Sequence, residues 1–307
     1  LGYAGTIHGL MLRILQRFGN MAGFKRVAVM DEEQSEKFLK QVIREMTWKG
    51  SITEVREAIA RGPAAFFSRS YNALGKADLV AQEYFRRMLA GGLVDFDSIL
   101  KFGLIVLTMA FRAGHLLPFS HLLWDEFQDS GSDDALILSA LPIPKKFIVG
   151  DPDQSIYGFR GGSPAFLSRI AASWNQTIVL DDCFRCEQAI GQAANRLIEH
   201  NTWRIPKQII CATAAVGTVS PILAGDESEE IAEIAKRIQD CIRNGIPAKE
   251  IAVLIRTNAL VQRFAKALPA FGVPVAKTES EWTPKDFKEC RRFLNLLADP
   301  NNNELAY

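Results

Sequence analysis

Two short apolar runs, each ending abruptly in acidic and turn-forming residues, constrain this chain most. His121-Leu122-Leu123-Trp124 runs into Asp125-Glu126-Phe127-Gln128-Asp129. Phe147-Ile148-Val149 runs into Gly150, followed by Asp-Pro-Asp-Gln-Ser-Ile-Tyr-Gly-Phe-Arg-Gly-Gly. A short apolar run without alternation reads as a strand buried on both faces, as in a parallel sheet. Open α/β sheets bind ligands at the carboxyl ends of such strands, so both clusters are expected to line one cleft. Adjacent carboxylates at a strand end suit magnesium chemistry. Asp125 would hold the ion, directly or through water, and Glu126 would orient or deprotonate a nucleophilic water. A lone Asp-Glu pair after a strand is more often a turn or a helix cap. The second cluster shifts that balance, because a turn needs Gly, Pro and Asp but has no use for Gln-Ser-Ile-Tyr-Gly-Phe-Arg.

The rest of the chain reads as alternating helices and strands. Apolar residues recur at helical spacing over 6–18. In 34–46, Phe38, Leu39, Val42, Ile43 and Met46 share one face. Further helices are expected over 78–90, 97–112, 186–201, 227–244 and 258–271, with strands at 177–180 and 251–255. Another helix should begin near Ser163-Pro164, with Ser163 as cap and Pro164 in the first turn. No strand stands out between Asp31 and Gly92. Strand–helix alternation on both sides of residue 175 implies two parallel-sheet domains.

Composition sets limits. In 307 residues, 48% hydrophobic content supports a real core and 23% charged residues is ordinary for a globular protein. No apolar run approaches the ~18 to 20 residues of a membrane span. Net charge is only +1, so nucleic-acid binding would need local stacking and a few placed cations. Five scattered cysteines argue against a disulfide framework and fit a reduced cytoplasmic protein. Cys183-Phe184-Arg185-Cys186 is a C-x-x-C that reads as half a zinc site or a redox pair. No second pair or Cys/His cluster accompanies it in the sequence, so no structural metal is expected.

The two acidic blocks resemble those of superfamily 1 DNA helicases of the UvrD/Rep type. Four further segments, in the same order, extend the resemblance almost end to end. They are Thr6-Ile7-His8-Gly9, Leu93-Val94-Asp95-Phe96-Asp97, the stretch from Leu180 through Cys186 to Asn195, and the stretch from Ile251 through Arg256-Thr257-Asn258. Phe293 to Asn301 resembles a later segment of the second motor domain. The resemblance implies an α/β fold of two RecA-like parallel-sheet domains of the P-loop NTPase type, both incomplete here, with a helical insertion in the first. Residues 1–30 and 93–174 would form the first domain, 31–92 the insertion and 175–307 the second domain.

The resemblance also implies ATP and Mg2+ as cofactors and single-stranded DNA as partner, with no membrane association. Asp125 would bind the metal and Glu126 act on the attacking water. Gln154 stands where the family senses the terminal phosphate. Arg185 matches a phosphate-contacting arginine, and Phe184 stands where a Tyr stacks on adenine. Alternate residues of an extended loop point the same way, so Tyr157 and Phe159 are expected to stack on successive bases, with Arg160 meeting a phosphate. Core packing is the competing reading for both aromatics. Thr6, His8, Arg256, Thr257 and Asn258 match DNA-facing positions, and His8 serves equally well as a hydrogen-bonding residue at a helix start.

Departures from the pattern include Gly9 for Ser, Cys183 for Asn, Phe184 for Tyr and Cys186 for Ser. The phosphate loop, Gly-x-x-x-x-Gly-Lys-Ser/Thr, has no match. At Gly75-Lys76, Ser70 stands where the first Gly belongs and Ala77 where Ser/Thr belongs. The chain is therefore expected to be an internal piece of a longer helicase. A non-catalytic DNA-binding or regulatory module, and part of a helicase–nuclease subunit, are the alternatives. Without a phosphate cradle, the isolated chain should show no ATP turnover in a steady-state assay with magnesium and single-stranded DNA. DNA-stimulated turnover abolished by Glu126→Gln would contradict this.

Overall fold

The computed structural model describes residues 2–63, 75–115, 117–156, 158, 162–174, 176–202 and 204–276. It divides into two compact units, Leu1–Gly217 and Thr218–Tyr307.

In the first unit, helix α1 (Ile7–Phe18) begins where Thr6 Oγ1 accepts the Gly9 amide at 3.2 Å. Strand β1 (Ala28–Val29) pairs in parallel with β2 (Leu93–Val94). Between them lie α2 (Glu32–Glu45), α3 (Ile52–Ala60) and α4 (Lys76–Gly91). Asp31 and Gln34 form a reciprocal cap that starts α2. Helix α5 (Phe96–Arg112) follows and packs against α1. Gly103 permits that approach, since a Cβ there would lie 2.8 Å from Met11 Cβ. The buried faces of all five helices share one continuous core, with Met11, Val42, Val55, Phe85 and Phe102 at its centre.

Strands β3 (His121–Trp124) and β4 (Lys145–Ile148) pair in parallel with His121 opposite Lys145 and Trp124 opposite Ile148. Helix α6 (Ser132–Ala140) connects them, and α7 (Pro164–Ser173) follows. A small core of Phe127, Leu138 and Leu167 lies beneath. The last pair in this unit is β5 (Asp182–Cys183) with β6 (Ile210–Cys211), joined through α8 (Gln188–Ile198). Each parallel pair thus encloses at least one helix, as parallel connections require.

The second unit contains α9 (Glu227–Arg243) and α10 (Asn258–Ala267). Their apolar faces meet around Ile231, Ala235, Ile238, Phe264 and Leu268.

The helices fall where the periodicity predicts, within a few residues. The strands differ. Among the described residues each sheet has two strands, and β3 and β4 are not buried on both faces. Leu123 and Phe147 are 75% and 60% exposed, while Leu122, Trp124 and Ile148 pack inward. No described element covers the outer face, so an apolar run that reads as doubly buried is covered on one side only. Residues 177–180 and 251–255, expected as strands, form no ladder with any described residue. An apolar run supplies propensity, but a strand also needs a partner. Ser163 occupies the cap position of α7 without a capping side-chain hydrogen bond. Residues 52–60 and 132–140 form helices that the periodicity reading did not single out.

One buried polar contact ties the helical segment to the start of α5. Tyr84 donates to Asp95 Oδ2 at 2.5 Å, while Asp95 Oδ1 caps α5 by accepting the Ser98 amide at 2.8 Å. Burial, then the nearby Asp95 charge, pushes the Tyr84 phenol well above its ordinary range. Tyr84→Phe removes this donor from a charged acceptor and should cost about 1.5–3 kcal/mol. Urea unfolding of parent and variant measures the loss, and equal midpoints would show the bond to be neutral.

Candidate functional site

The ends of β3 and β4 turn toward each other. Directly after β3, Glu126 adopts φ +52°, left-handed backbone unusual for a non-glycine residue. The turn sends Phe127 inward, where it is fully buried and sits edge-on to Trp124 at 5.1 Å. It also lets the Phe127 amide donate to the Val149 carbonyl at 3.0 Å. Asp125 and Glu126 stay exposed. The Glu126 amide donates to Asp125 Oδ1 at 2.9 Å.

Gln128 is the residue that sequence reasoning missed. Its side chain is buried and bridges both loops. Nε2 donates to Glu126 Oε2 at 2.6 Å, and Oε1 accepts the Asp151 amide at 3.1 Å. Its carbonyl accepts Ser155 Oγ at 3.1 Å. Gly150 makes room for this bridge, because a Cβ there would lie 2.8 Å from Gln128 Oε1 and 3.1 Å from the Phe127 amide nitrogen. The only available signal was that Gln sits inside the Asp-Glu-Phe-Gln-Asp block.

The second loop is stapled through its acids. Asp151 Oδ1 accepts the Asp153 amide at 3.0 Å, and Gln154 Nε2 donates to Asp151 Oδ2 at 2.8 Å. Asn201, Arg204 and Lys207, beyond α8, reach the same loop. Lys207 pairs with Asp151 and, at 3.0 Å, with Asp153 Oδ2. Asn201 Nδ2 donates to Asp153 Oδ1 at 2.9 Å, and Arg204 Nε lies 3.9 Å from Asp153 Oδ2. Burial opposes ionisation of Asp151, but hydrogen bonds from Lys207, Gln154 and the Asp153 amide outweigh it, and its carboxyl lies below the ordinary range. Asp129 moves the other way, raised by burial and then by the negative charge of Glu126.

The other expected site residues are placed as follows. Phe184 and Arg185 are exposed on the turn after β5, with Phe184 82% exposed. No described contact joins them to Asp125, Glu126 or Gln154, and Arg185 makes no ion pair among the described residues. Thr6 caps α1, as already noted. His8 stacks on Phe96 with ring centroids 3.9 Å apart, and burial, outweighing Asp134 and Asp97, lowers its pKa. In the second unit, Thr257 caps α10 by accepting the Leu260 amide at 3.4 Å, Asn258 opens that helix, and Arg256 is exposed. Tyr157, Phe159 and Arg160 lie outside the described residues. Among the described residues, no group of three or more His, Cys, Asp or Glu is arranged to hold a metal, and no helix is long and apolar enough to cross a membrane.

Two exposed carboxylates at the end of β3 thus lie beside the loop that follows β4 and carries Gln154, on a parallel strand pair. The profile of the UvrD/REP helicase N-terminal domain matches residues 3–174, and that of the UvrD-like helicase C-terminal domain matches residues 178–305. The chain belongs to the UvrD/Rep helicase family. It is 29% identical over 322 aligned positions to DNA helicase II of Escherichia coli strain K12, covering 98% of this chain and 44% of that protein. It is 26% identical over 322 positions to the ATP-dependent DNA helicase PcrA of Leuconostoc citreum, covering 98% and 43%. The chain thus spans less than half the length of these relatives.

Lys207 neutralises two carboxylates in a largely buried cluster. Lys207→Met removes the cation that pairs with both and should cost about 3 kcal/mol at neutral pH. The depressed Asp151 carboxyl stabilises the fold above its unfolded value, near ~3.9, and this contribution is lost as pH falls through its lower folded value. Urea midpoints measured from neutral pH down to the acid limit should therefore converge for parent and variant. A gap that is absent at neutral pH, or that widens in acid, would refute the assignment.

Proposed function

We propose that this chain is the core of an ATP-dependent single-stranded DNA translocase or helicase, with ATP hydrolysed at the ends of β3 and β4, between two RecA-like domains. The supporting observation is the Gln128 bridge, which joins the carboxylate suited to act on water to the loop carrying Gln154. A simple turn requires no buried amide of this kind. The names of the relatives, ATP-dependent DNA helicase and DNA helicase II, agree with this reading.

In this reading residues 1–30 and 93–174 form the first motor domain, 31–92 its helical insertion, and 175–307 the second. The parallel pairing of β1 with β2 across the helical stretch supports an insertion. Magnesium fits the donor set, since that ion keeps several waters and takes one or two carboxylates beside phosphate oxygens. Bound with ATP, it would neutralise charge building on the transferring phosphoryl group. Asp125 would hold the ion. Glu126, oriented by Gln128, accepts a proton from the attacking water. Gln154, which donates to Asp151 here, would contact the terminal phosphate, and Lys207 also pairs with Asp151. Arg185 stabilises negative charge from the second domain, and Phe184 stacks on the base. Thr6, His8, Tyr157, Phe159, Arg160, Arg256, Thr257 and Asn258 face single-stranded DNA. The site of action is the cytoplasm.

The complete protein provides the test. Glu126→Gln should lower DNA-stimulated ATP hydrolysis about 10²- to 10⁴-fold. Arg185→Ala should lower it about 10³- to 10⁵-fold, with Arg185→Lys a poor substitute because it lacks the planar fork of donors. Nucleotide-free affinity for single-stranded DNA, read by fluorescence anisotropy, should not change. Near-parental turnover in both Glu126→Gln and Arg185→Ala would overturn the proposal.

A further inference from the structure

Cys183 and Cys186 enclose Phe184 and Arg185 on the turn between β5 and α8. The turn folds back so that the Cys186 amide donates to Cys183 Sγ at 3.4 Å. The fold then adds a third sulfur from a distant segment. Parallel pairing of β5 with β6 sets Cys211 directly opposite Cys183. Cys211 Sγ donates to the Glu187 carbonyl at 3.5 Å and rests on Gly191, where any Cβ would collide with it. All three are free thiols, each partly exposed. Their arrangement does not make a metal site among the described residues. Cys183 and Cys186 thus form a dithiol beside a third thiol.

The three thiols are not equivalent. Hydrogen bonds from the Cys186 amide, then the Arg185 amide, and a further one from the Cys186 side chain hold Cys183 below the ordinary thiol range. Cys186 is pushed up, first by its hydrogen bond to Cys183. Cys211 is pushed up by burial, then by the Cys183 charge. Deprotonation therefore concentrates on Cys183, and the thiolate is the nucleophilic form.

We propose that Cys183 and Cys186 form an oxidisable dithiol that a hydroperoxide closes to a disulfide around Phe184 and Arg185. In the first step the Cys183 thiolate attacks a peroxide oxygen. The S–O bond forms, the O–O bond breaks, and the departing oxygen takes a proton to leave as water or an alcohol. Sulfur loses two electrons to the peroxide and becomes a sulfenic acid. In the second step Cys186 sulfur attacks Cys183 sulfur. The S–S bond forms, the S–O bond breaks, and hydroxide leaves as water with the Cys186 proton. Cys211, whose thiol donates to the Glu187 carbonyl, stays reduced. Closure fixes the turn that presents Arg185. That consequence rests on the role given to Arg185 above, whereas the dithiol chemistry does not.

The chemistry is read on the 307-residue chain, reduced, exposed to hydrogen peroxide, alkylated and mapped by mass spectrometry. Two of its five thiols should escape alkylation, in a peptide lighter by two hydrogens that joins Cys183 to Cys186, and dithiothreitol should restore both. Cys186→Ser should halt at the sulfenic acid, trapped by dimedone on Cys183. Cys211→Ala should still close the disulfide between Cys183 and Cys186. The proposal is overturned if Cys183 remains alkylatable, if Cys241 oxidises as fast, or if the bond joins Cys183 to Cys211.

The consequence is read on the complete protein. ATP turnover should fall on oxidation and return on reduction, and a Cys183→Ser, Cys186→Ser double variant should be insensitive to peroxide. A disulfide that forms without changing turnover overturns the link to Arg185 and leaves the dithiol standing. A fully reduced parent with no turnover speaks instead against the proposed function.

Discussion

A buried amide holds the candidate site together. Gln128 is 2% exposed, and a buried amide left without partners costs about 1–3 kcal/mol per group. Its partners are the Glu126 carboxylate and the Asp151 amide, one on each loop. The two strand ends therefore cannot separate without stranding a polar group. Phe127, fully buried beside it, anchors the first loop, and the left-handed backbone at Glu126 is the local cost of sending Phe127 inward while its neighbouring carboxylates stay exposed.

The second loop has its own restraint, from a segment far along the chain. Asn201, Arg204 and Lys207 converge on Asp151 and Asp153, and Asp153 has a side chain only 3% exposed. The two helicase profiles meet between residues 174 and 178, yet the first compact unit continues to Gly217. This ion-paired contact is one reason for that continuity. Gln154 donates to the same Asp151, so any movement of Gln154 is felt by Lys207. Loop geometry and the pairing of residues 201–207 are coupled through one carboxylate.

The turn after β5 follows a different logic. Phe184 and Arg185 are exposed between two flanking cysteines, and the Cys186 amide donates to Cys183 Sγ. Where the family pattern has Asn and Ser, this chain has two thiols. The substitution keeps a polar turn and adds redox chemistry to it.

Much of this was legible in the residues alone. Helical periodicity located α1, α2, α4, α5, α9 and α10 because packing on one face imposes a repeat that the chain itself carries. Asp125, Glu126 and Gln154 stood out as candidates because a turn has no use for the run Gln-Ser-Ile-Tyr-Gly-Phe-Arg that accompanies the strand-end carboxylates. Other features depended on partners distant in sequence. The exposed faces of Leu123 and Phe147, and the stretches 177–180 and 251–255 that form no ladder with any described residue, depend on neighbours in space, which an apolar run does not encode. The same holds for the Gln128 bridge, the reach of Lys207 to Asp151, and the meeting of Cys211 with Cys183. Local pattern and motif are written in consecutive residues, so the sequence by itself determined the helices, the family and the acidic loops. Hydrogen bonds and ion pairs between segments tens of residues apart exist only after the chain has folded, so tertiary structure alone decided what holds those loops in place.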